Sequence, residues 1–201
     1  PGGGTRVRRF LSCLAAVSAV FVLAAALVSC KGDSCGKELF ADVMNSRFTM
    51  QSDYTFSSGE KAIEGSLVLS SGENIKMELV SPDALCGVAV ESDGAGKMSE
   101  FSVSFSGIKA DIPKSILTKL SLAFGMFSPD MPQLIRSLDS GCISENSDTD
   151  AELVTAMFSQ GDVNYSFTYN KLTGEPTLLV ASAGEDSVTL RITKFKSESG
   201  T

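Results

Sequence analysis

The chain has 201 residues, a formal net charge of −7 and no histidine. The lack of histidine excludes Ser-His-Asp and Cys-His catalysis and most zinc sites, while the acidic balance argues against nucleic acid as a partner. We therefore expect a monomer that is not an enzyme and holds neither a metal nor a cofactor.

The first 29 residues have the layout of a secretory signal peptide. Three arginines precede an apolar run over residues 10–28, and the segment contains neither Asp nor Glu. A positive start followed by an apolar stretch is typical of chains that enter an export channel. An uncleaved transmembrane anchor is the alternative, because a run of this length is just long enough to cross a bilayer core of about 30 Å.

The apolar run ends in a motif that predicts lipidation. Leu27-Val28-Ser29-Cys30 resembles the bacterial lipobox, in which small residues precede a cysteine that is acylated and becomes the new N-terminus. The resemblance implies a signal peptide over 1–29, a palmitate-type lipid on Cys30 and a lipidated tether over 30–36. The protein is then expected outside the cytoplasm, lipid-anchored to the outer face of the cell membrane or to an outer membrane if there is one.

Cleavage after residue 29 leaves 172 residues, which is enough for one domain with a substantial core. Three arginines leave with the signal, so the formal charge changes from −7 to −10. Anionic lipid headgroups repel such a body, and the acyl chains must therefore hold it at the membrane. We expect the domain to occupy residues 37–196 and residues 197–201 to form a tail.

Three cysteines remain beyond the lipidated one, namely Cys35, Cys86 and Cys142. A site outside the cytoplasm permits a disulfide. We favour the pair Cys86 and Cys142 because Cys35 belongs to the tether, although three thiols allow three pairings. Buried free cysteines are the alternative.

The hydrophobic pattern predicts a helix followed by a meander of strands. Apolar residues recur at helical spacing over 37–48, and from there the period changes to two. Turn-type residues divide the alternating part, which predicts strands over 48–56, 63–69, 75–79, 85–91 and 100–108.

A helical insert then interrupts the strands. Pro113 precedes helical spacing over 114–127, and a second short helix is predicted over 132–138. Strand patterns return over 152–158, 164–169, 177–181 and 187–195. The fold class is thus α+β, mainly antiparallel β with about nine strands. The N-terminal helix and the insert are the elements available to cover the apolar face of the sheet.

This order of elements resembles the LolA, LolB and LppX superfamily of lipoprotein carriers. Two segments carry the resemblance, namely Ala62-Ile63-Glu64-Gly65-Ser66-Leu67-Val68-Leu69 and the late hairpin Tyr169-Asn170-Lys171-Leu172-Thr173-Gly174-Glu175-Pro176-Thr177 with its Thr-Gly-x-Pro turn. The resemblance implies a half-barrel, meaning an incomplete curved barrel whose concave face is covered by helices. It also implies a hydrophobic cavity that holds an acyl chain, a lipid or a lipoprotein.

Adaptable apolar side chains are the expected lining of such a cavity, and the candidates are Met77, Met98, Phe124 and Met126. Ordinary core packing is the alternative for each of them. The favoured function is a membrane-anchored lipoprotein that binds an acyl chain, a lipid or a lipoprotein. The alternative is a cell-envelope interaction module without enzymatic activity, whose core is filled.

Overall fold

Three α-helices, two single-turn 3₁₀ helices (Asp83–Leu85 and Ser140–Cys142) and eleven antiparallel strands lie in the part of the chain that the computed structural model describes, which is residues 32–92, 101–105, 108–110, 114–146 and 152–198. The chain divides into a segment Pro1–Cys35 and a compact unit Gly36–Thr201. The helices are α1 (Gly32–Asn45), α2 (Lys114–Gly125) and α3 (Met131–Arg136).

The strands form two meanders. The first consists of β1 (Arg47–Ser58), β2 (Lys61–Ser71), β3 (Ile75–Leu79), β4 (Val88–Ser92), β5 (Phe101–Phe105) and β6 (Ile108–Ala110). The second consists of β7 (Ile143–Asn146), β8 (Leu153–Gln160), β9 (Val163–Asn170), β10 (Pro176–Ala183) and β11 (Asp186–Glu198).

The two meanders join through their longest strands at the centre of one curved, unclosed sheet. The sheet order is β6-β5-β4-β3-β2-β1-β11-β10-β9-β8-β7. Strand β1 pairs with β11 along its whole length, from Arg47 opposite Glu198 to Ser58 opposite Asp186. The two outer strands have only three and four residues. Short edge strands offer few unpaired backbone groups to other chains.

One face of the sheet, here called the inner face, carries the buried side chains. Alternate residues of β1 are buried because successive side chains of a strand point to opposite faces, and the buried set is Phe48, Met50, Ser52, Tyr54 and Phe56. The same alternation continues through Leu67 and Leu69 on β2 and through Leu179 and Ala181 on β10. The inner face therefore presents one apolar surface to the helices.

All three helices contribute to the core that covers this face. Helix α1 buries Phe40, Ala41 and Met44, whose spacing places them on one side of the helix. The buried residues of α3 are Met131, Pro132 and Ile135. Proline fits the first turn of a helix, where its missing N–H would have no helical partner. The α+β class, the antiparallel sheet and the helical cover predicted from the sequence are confirmed.

The strand count differs from the prediction of about nine. The structure splits the predicted strand over 100–108 into β5 and β6, and it adds β7. Strand β7 has the sequence Ile-Ser-Glu-Asn, which shows no run of alternating apolar residues. Helix α1 also ends at Asn45 rather than at residue 48, because Phe48 already belongs to β1.

The favoured disulfide is not formed, since Cys86 is an exposed free thiol and Cys142 a half-buried one. Cys86 lies just before β4, and Cys142 lies just before β7. Seven strands of the unclosed sheet separate β4 from β7. The prediction was wrong because sequence alone does not show which strands are neighbours.

Candidate functional site

Three of the four predicted lining residues lie in the same apolar interior, between the inner face and the helices. Met77 projects from β3, and it is fully buried. Phe124 lies in the last turn of α2 and Met126 follows the helix, and both side chains are buried. Met98 lies outside the described residues. The structure thus brings three candidates into one cluster, and their role as ligand contacts stays a prediction.

Three further methionines of this interior were not among the lining residues predicted from the sequence. Met44 is buried on α1, Met50 on β1 and Met131 on α3. Their positions on the apolar stripe of a helix or in the alternation of a strand were the signal that could have identified them. Methionine side chains are unbranched and flexible, so this interior can adjust its shape more readily than one built from branched residues.

Aromatic rings attach α1 to the second meander. The Phe40 ring stacks on Tyr169 of β9 with a centroid distance of 4.3 Å and an interplanar angle of 5°. The same ring meets the edge of Phe167 at 6.0 Å. Such pairs contribute about 0.5–1.5 kcal/mol beyond the burial of their area. Helix α1 is therefore a firmly attached part of the domain.

The β9–β10 turn, which carries part of the family resemblance, is where the sheet meets α1. The Asn170 side chain accepts hydrogen bonds from the Leu172 and Thr173 backbone N–H groups at 2.8 and 3.0 Å. Gly174 has φ +72°, and a Cβ at this position would lie 2.6 Å from the carbonyl carbon of Leu39. The motif residues thus form a structural turn whose backbone lies directly against α1.

Ion pairs on the surface join α1 to α3. Arg136 Nε lies 3.3 Å from a Glu38 carboxylate oxygen, and Arg136 Nη2 donates to Asp42 at 2.5 Å. Lys37 Nζ also donates to the Leu138 carbonyl oxygen at 2.7 Å. Each such half-exposed pair contributes about 0–1 kcal/mol. The polar links between these two helices are thus weaker than the backbone ladders of the sheet.

Buried tyrosines give the interior a predictable pH dependence. Burial raises the pKa of Tyr169 to about 12, and it also raises the pKa of Tyr54 and Tyr165. An unfolded tyrosine ionises near pH 10, so the stabilisation from the neutral buried phenol is complete below pH 10. We expect the free energy of unfolding to fall as the pH rises from 10 towards 12.

Urea denaturation at pH 9, 10.5 and 11.5 measures this effect, and Tyr169→Phe provides the comparison. The variant has no phenol at this position, so its stability should fall less steeply over the same range. Equal slopes for the two proteins would contradict the assignment to Tyr169.

A small cavity, here called the rim cavity, opens where four segments of the chain meet. These are the end of α1, the β2–β3 turn, the end of β4 and the connection between α2 and α3. Its volume is about 150 Å³. Its polar lining comes from Asn45, Ser71, Glu73, Ser92 and Ser128, and its apolar lining includes Met44, Ile75 and Phe127.

Ser92 is the distinctive member of this lining. Its side chain is 3% exposed, and its Oγ has no hydrogen-bond partner among the described residues. Most buried hydroxyls in proteins have a partner, and one that lacks it costs about 1–3 kcal/mol. Ser92 therefore adds to this lining a buried hydroxyl whose hydrogen-bonding capacity is unused among the described residues.

Within the described residues, no helix is both long enough and apolar enough to span a membrane. The same residues include no group of three or more His, Cys, Asp or Glu side chains arranged to hold a metal ion.

No protein-family model and no curated protein matches the chain. Solved structures with a similar fold include a LolA superfamily protein from Nitrosomonas europaea, with 10% identity, 81% of this chain and 93% of that one covered, and a TM-score of 0.41. The lipoprotein LppX from Mycobacterium tuberculosis shows 11% identity over 81% of this chain and 97% of its own, with a TM-score of 0.37.

A putative outer membrane lipoprotein-sorting protein domain from Vibrio parahaemolyticus is also similar, with 6% identity, coverages of 83% and 93%, and a TM-score of 0.36. These structures include members of the superfamily that the sequence resembles. The case for a function depends on the geometry of this chain.

Proposed function

We propose that this protein is an extracytoplasmic lipoprotein, anchored through Cys30, that binds an acyl chain of a lipid or lipoprotein between its inner face and its helices. The observation that carries the proposal is the methionine-rich apolar interior enclosed by an unclosed sheet and separate helices. Burial of a long acyl chain in such surroundings is favourable by about 0.8 kcal/mol per CH₂.

Entry of the chain requires the helices to move. Met77 and Met126 are fully buried, so the space between α2 and the sheet is occupied by side chains when no ligand is bound. The sheet is held by continuous backbone ladders, whereas α1 and α3 are linked to each other by half-exposed ion pairs. Helix α1 is held to β9 by the Phe40–Tyr169 stack, so the least costly motion displaces α2 and α3 from an intact sheet and from α1. Flexible methionines can then repack around the acyl chain.

The signal segment and the charge of the chain support the proposed anchor. The mature protein would carry a formal charge of −10, which disfavours adsorption to anionic membranes. Acyl chains on Cys30 would hold the domain near the membrane, where its lipid ligands are found.

A non-enzymatic interaction module is the second candidate, and the packed interior favours it. The β5–β6 hairpin also exposes Phe105 and Ile108, which face each other across the strand pair and are 49% and 72% exposed. In this case the partner would bind at the sheet edge and the interior would stay closed.

Native mass spectrometry separates the two candidates. We would express the mature chain from residue 30 in the bacterial cytoplasm, where Cys30 stays unacylated, and record its mass before and after adding palmitate, 1-palmitoylglycerol or a lipopeptide. The lipid-binding proposal predicts one acyl ligand per protein. An apo mass unchanged by lipids or lipopeptides would contradict it and favour the interaction module.

Two neighbouring substitutions on β10 provide a matched comparison. Ala181 is fully buried on the inner face, whereas Ser182 points to the other face. Ala181→Leu should reduce ligand occupancy because it fills the interior, and Ser182→Leu should not. Thermal denaturation of both variants would show whether a loss of occupancy only reflects unfolding.

A further inference from the structure

We propose that the rim cavity binds the carbonyl group at the polar end of the acyl ligand, an ester or an amide, through a hydrogen bond from the Ser92 hydroxyl. The inference rests on the proposed function and adds to it the polar part of the ligand and the residue that recognises it. The acyl chain itself would lie in the adjoining apolar interior.

The first argument is the unused hydrogen-bonding capacity of Ser92. The residue ends β4, where it pairs with Ile75 of β3 and Phe101 of β5. The residue is 3% exposed, and its buried Oγ has no hydrogen-bond partner among the described residues. A serine hydroxyl can donate one hydrogen bond, and a ligand carbonyl oxygen is a suitable acceptor. Ligand binding would therefore satisfy a group that the protein alone leaves unpaired.

The second argument is the size of the cavity. A volume of about 150 Å³ accommodates a group of about six to eight non-hydrogen atoms, since a cavity of this size in another protein holds benzene. A glyceryl ester group has this size. A complete acyl chain is several times larger, so the rim cavity suits the polar end and not the chain.

The third argument is the chemistry of the walls. Ser71, Ser128 and the Asn45 amide offer further hydrogen bonds, whereas Met44 and Phe127 belong to the apolar core. The cavity thus lies at the junction between polar surroundings and the apolar interior, where the ester of an amphiphile must lie. Among the described lining residues, Glu73 carries the only charge, and it is negative. A neutral carbonyl group is therefore favoured over a carboxylate or a phosphate.

Ser52 provides an internal control for the test. It is also buried and its Oγ also lacks a partner among the described residues, but it lies on β1 opposite Leu67 and Ile192 and does not line the rim cavity. Ser52→Ala and Ser92→Ala thus remove the same group from two buried sites, of which only one adjoins the cavity.

The test compares two ligands that differ in one carbonyl group. We would measure binding of 1-palmitoylglycerol, an ester, and of 1-O-hexadecylglycerol, the corresponding ether, to the mature chain by displacement of a fluorescent fatty acid. We expect Ser92→Ala to weaken ester binding about 3- to 10-fold, the effect of one hydrogen bond, and to change ether binding less than about 2-fold. Ser52→Ala should cause no ester-specific loss, so any change in affinity should be the same for the ester and the ether.

Each other outcome has a distinct meaning. If both ligands bind but Ser92→Ala affects them equally, or affects neither, the assignment of Ser92 is overturned while acyl binding stands. If the unaltered protein binds neither ligand, the proposed function fails, and the inference fails with it. An ester-specific loss in Ser52→Ala as large as that in Ser92→Ala would also overturn the rim cavity as the polar site.

Discussion

Gly174→Ala is expected to destabilise the protein by about 3 kcal/mol or more and to loosen α1 from the sheet. The residue has φ +72°, a conformation that side chains other than glycine adopt at a cost of about 1–3 kcal/mol. The added Cβ would also lie 2.6 Å from the Leu39 carbonyl carbon and 2.8 Å from the Phe40 nitrogen. These are backbone atoms of a helix, so no side-chain rotation relieves the clash, and the overpacking adds about 1–3 kcal/mol.

Gly184→Ala is the matched control for this prediction. Gly184 also has a positive φ, +59°, but a Cβ there would meet no atom within 4 Å. The free energy of unfolding of Gly184→Ala should fall by only about 1–2 kcal/mol, which is the cost of the backbone conformation. Urea denaturation gives both values, and amide hydrogen exchange would show faster exchange in α1 for Gly174→Ala alone. Equal losses in the two variants would show that contact with α1 contributes nothing.

Gly65→Ala is expected to cost about 2–4 kcal/mol, through crowding alone and without a positive φ. Gly65 lies on β2 opposite Tyr54 of β1. A Cβ there would overlap the Ser81 carbonyl group, with 2.7 Å to its carbon, and would lie 2.8 Å from the Tyr54 hydroxyl oxygen. The Tyr54 hydroxyl donates to that same carbonyl oxygen at 2.9 Å. The substitution must therefore displace Ser81 and break a partly buried hydrogen bond.

Gly72→Ala is the comparison, because its Cβ would meet nothing within 4 Å. The free energy of unfolding of Gly72→Ala should stay within about 0.5 kcal/mol of that of the unsubstituted protein, as expected for a surface position. Thermal or urea denaturation measures both variants. The interpretation fails if Gly65→Ala unfolds at the same denaturant concentration as Gly72→Ala. Tyr54→Phe is a further check. It should destabilise the Gly65→Ala variant less than it destabilises the unsubstituted protein, because the hydrogen bond that it removes is already broken in that variant.

Two glycines in the segments that resemble the carrier superfamily, Gly65 and Gly174, have structural roles that the sequence alone does not show. The resemblance rested partly on segments that contain Gly65 and Gly174, and both prove to be places where another segment of backbone approaches closely. The residue patterns around Gly65 and Gly174 predicted a strand and a turn. They did not show which other segment of the chain packs against each glycine. Ser81 and Leu39 are distant from them along the chain, so these contacts exist only in the folded protein.

The main strands were predictable because their alternation is strong. Strand β1 repeats buried and exposed residues along most of its twelve positions, and the prediction for it was correct. Strand β7 was missed because four residues, two of them strongly polar, show no period. The same limit applies to the cysteines, since the pairing of Cys86 with Cys142 depends on which strands are neighbours.

The rim cavity could not be predicted from the sequence at all. Its walls come from four segments that lie between residues 44 and 132, and no motif connects them. Ser92 is one of many serines, and it is distinguished by a buried Oγ without a partner among the described residues together with a position in the lining of the cavity. By contrast, Met77, Phe124 and Met126, which were predicted from sequence as lining residues, do lie in the apolar interior, and their role as ligand contacts stays a prediction.

The pairing of β1 with β11 has a consequence for how the protein acquires its structure. These strands are the first and the last of the sheet along the chain, and Ser46 bonds to Ser197, 151 residues away. Contacts between such distant residues form slowly, because a long loop must close before they gain any free energy. The central ladder cannot assemble until nearly the whole chain has been synthesised. This delay would keep the chain extended for longer, which is compatible with the export through a narrow channel that we propose for this protein.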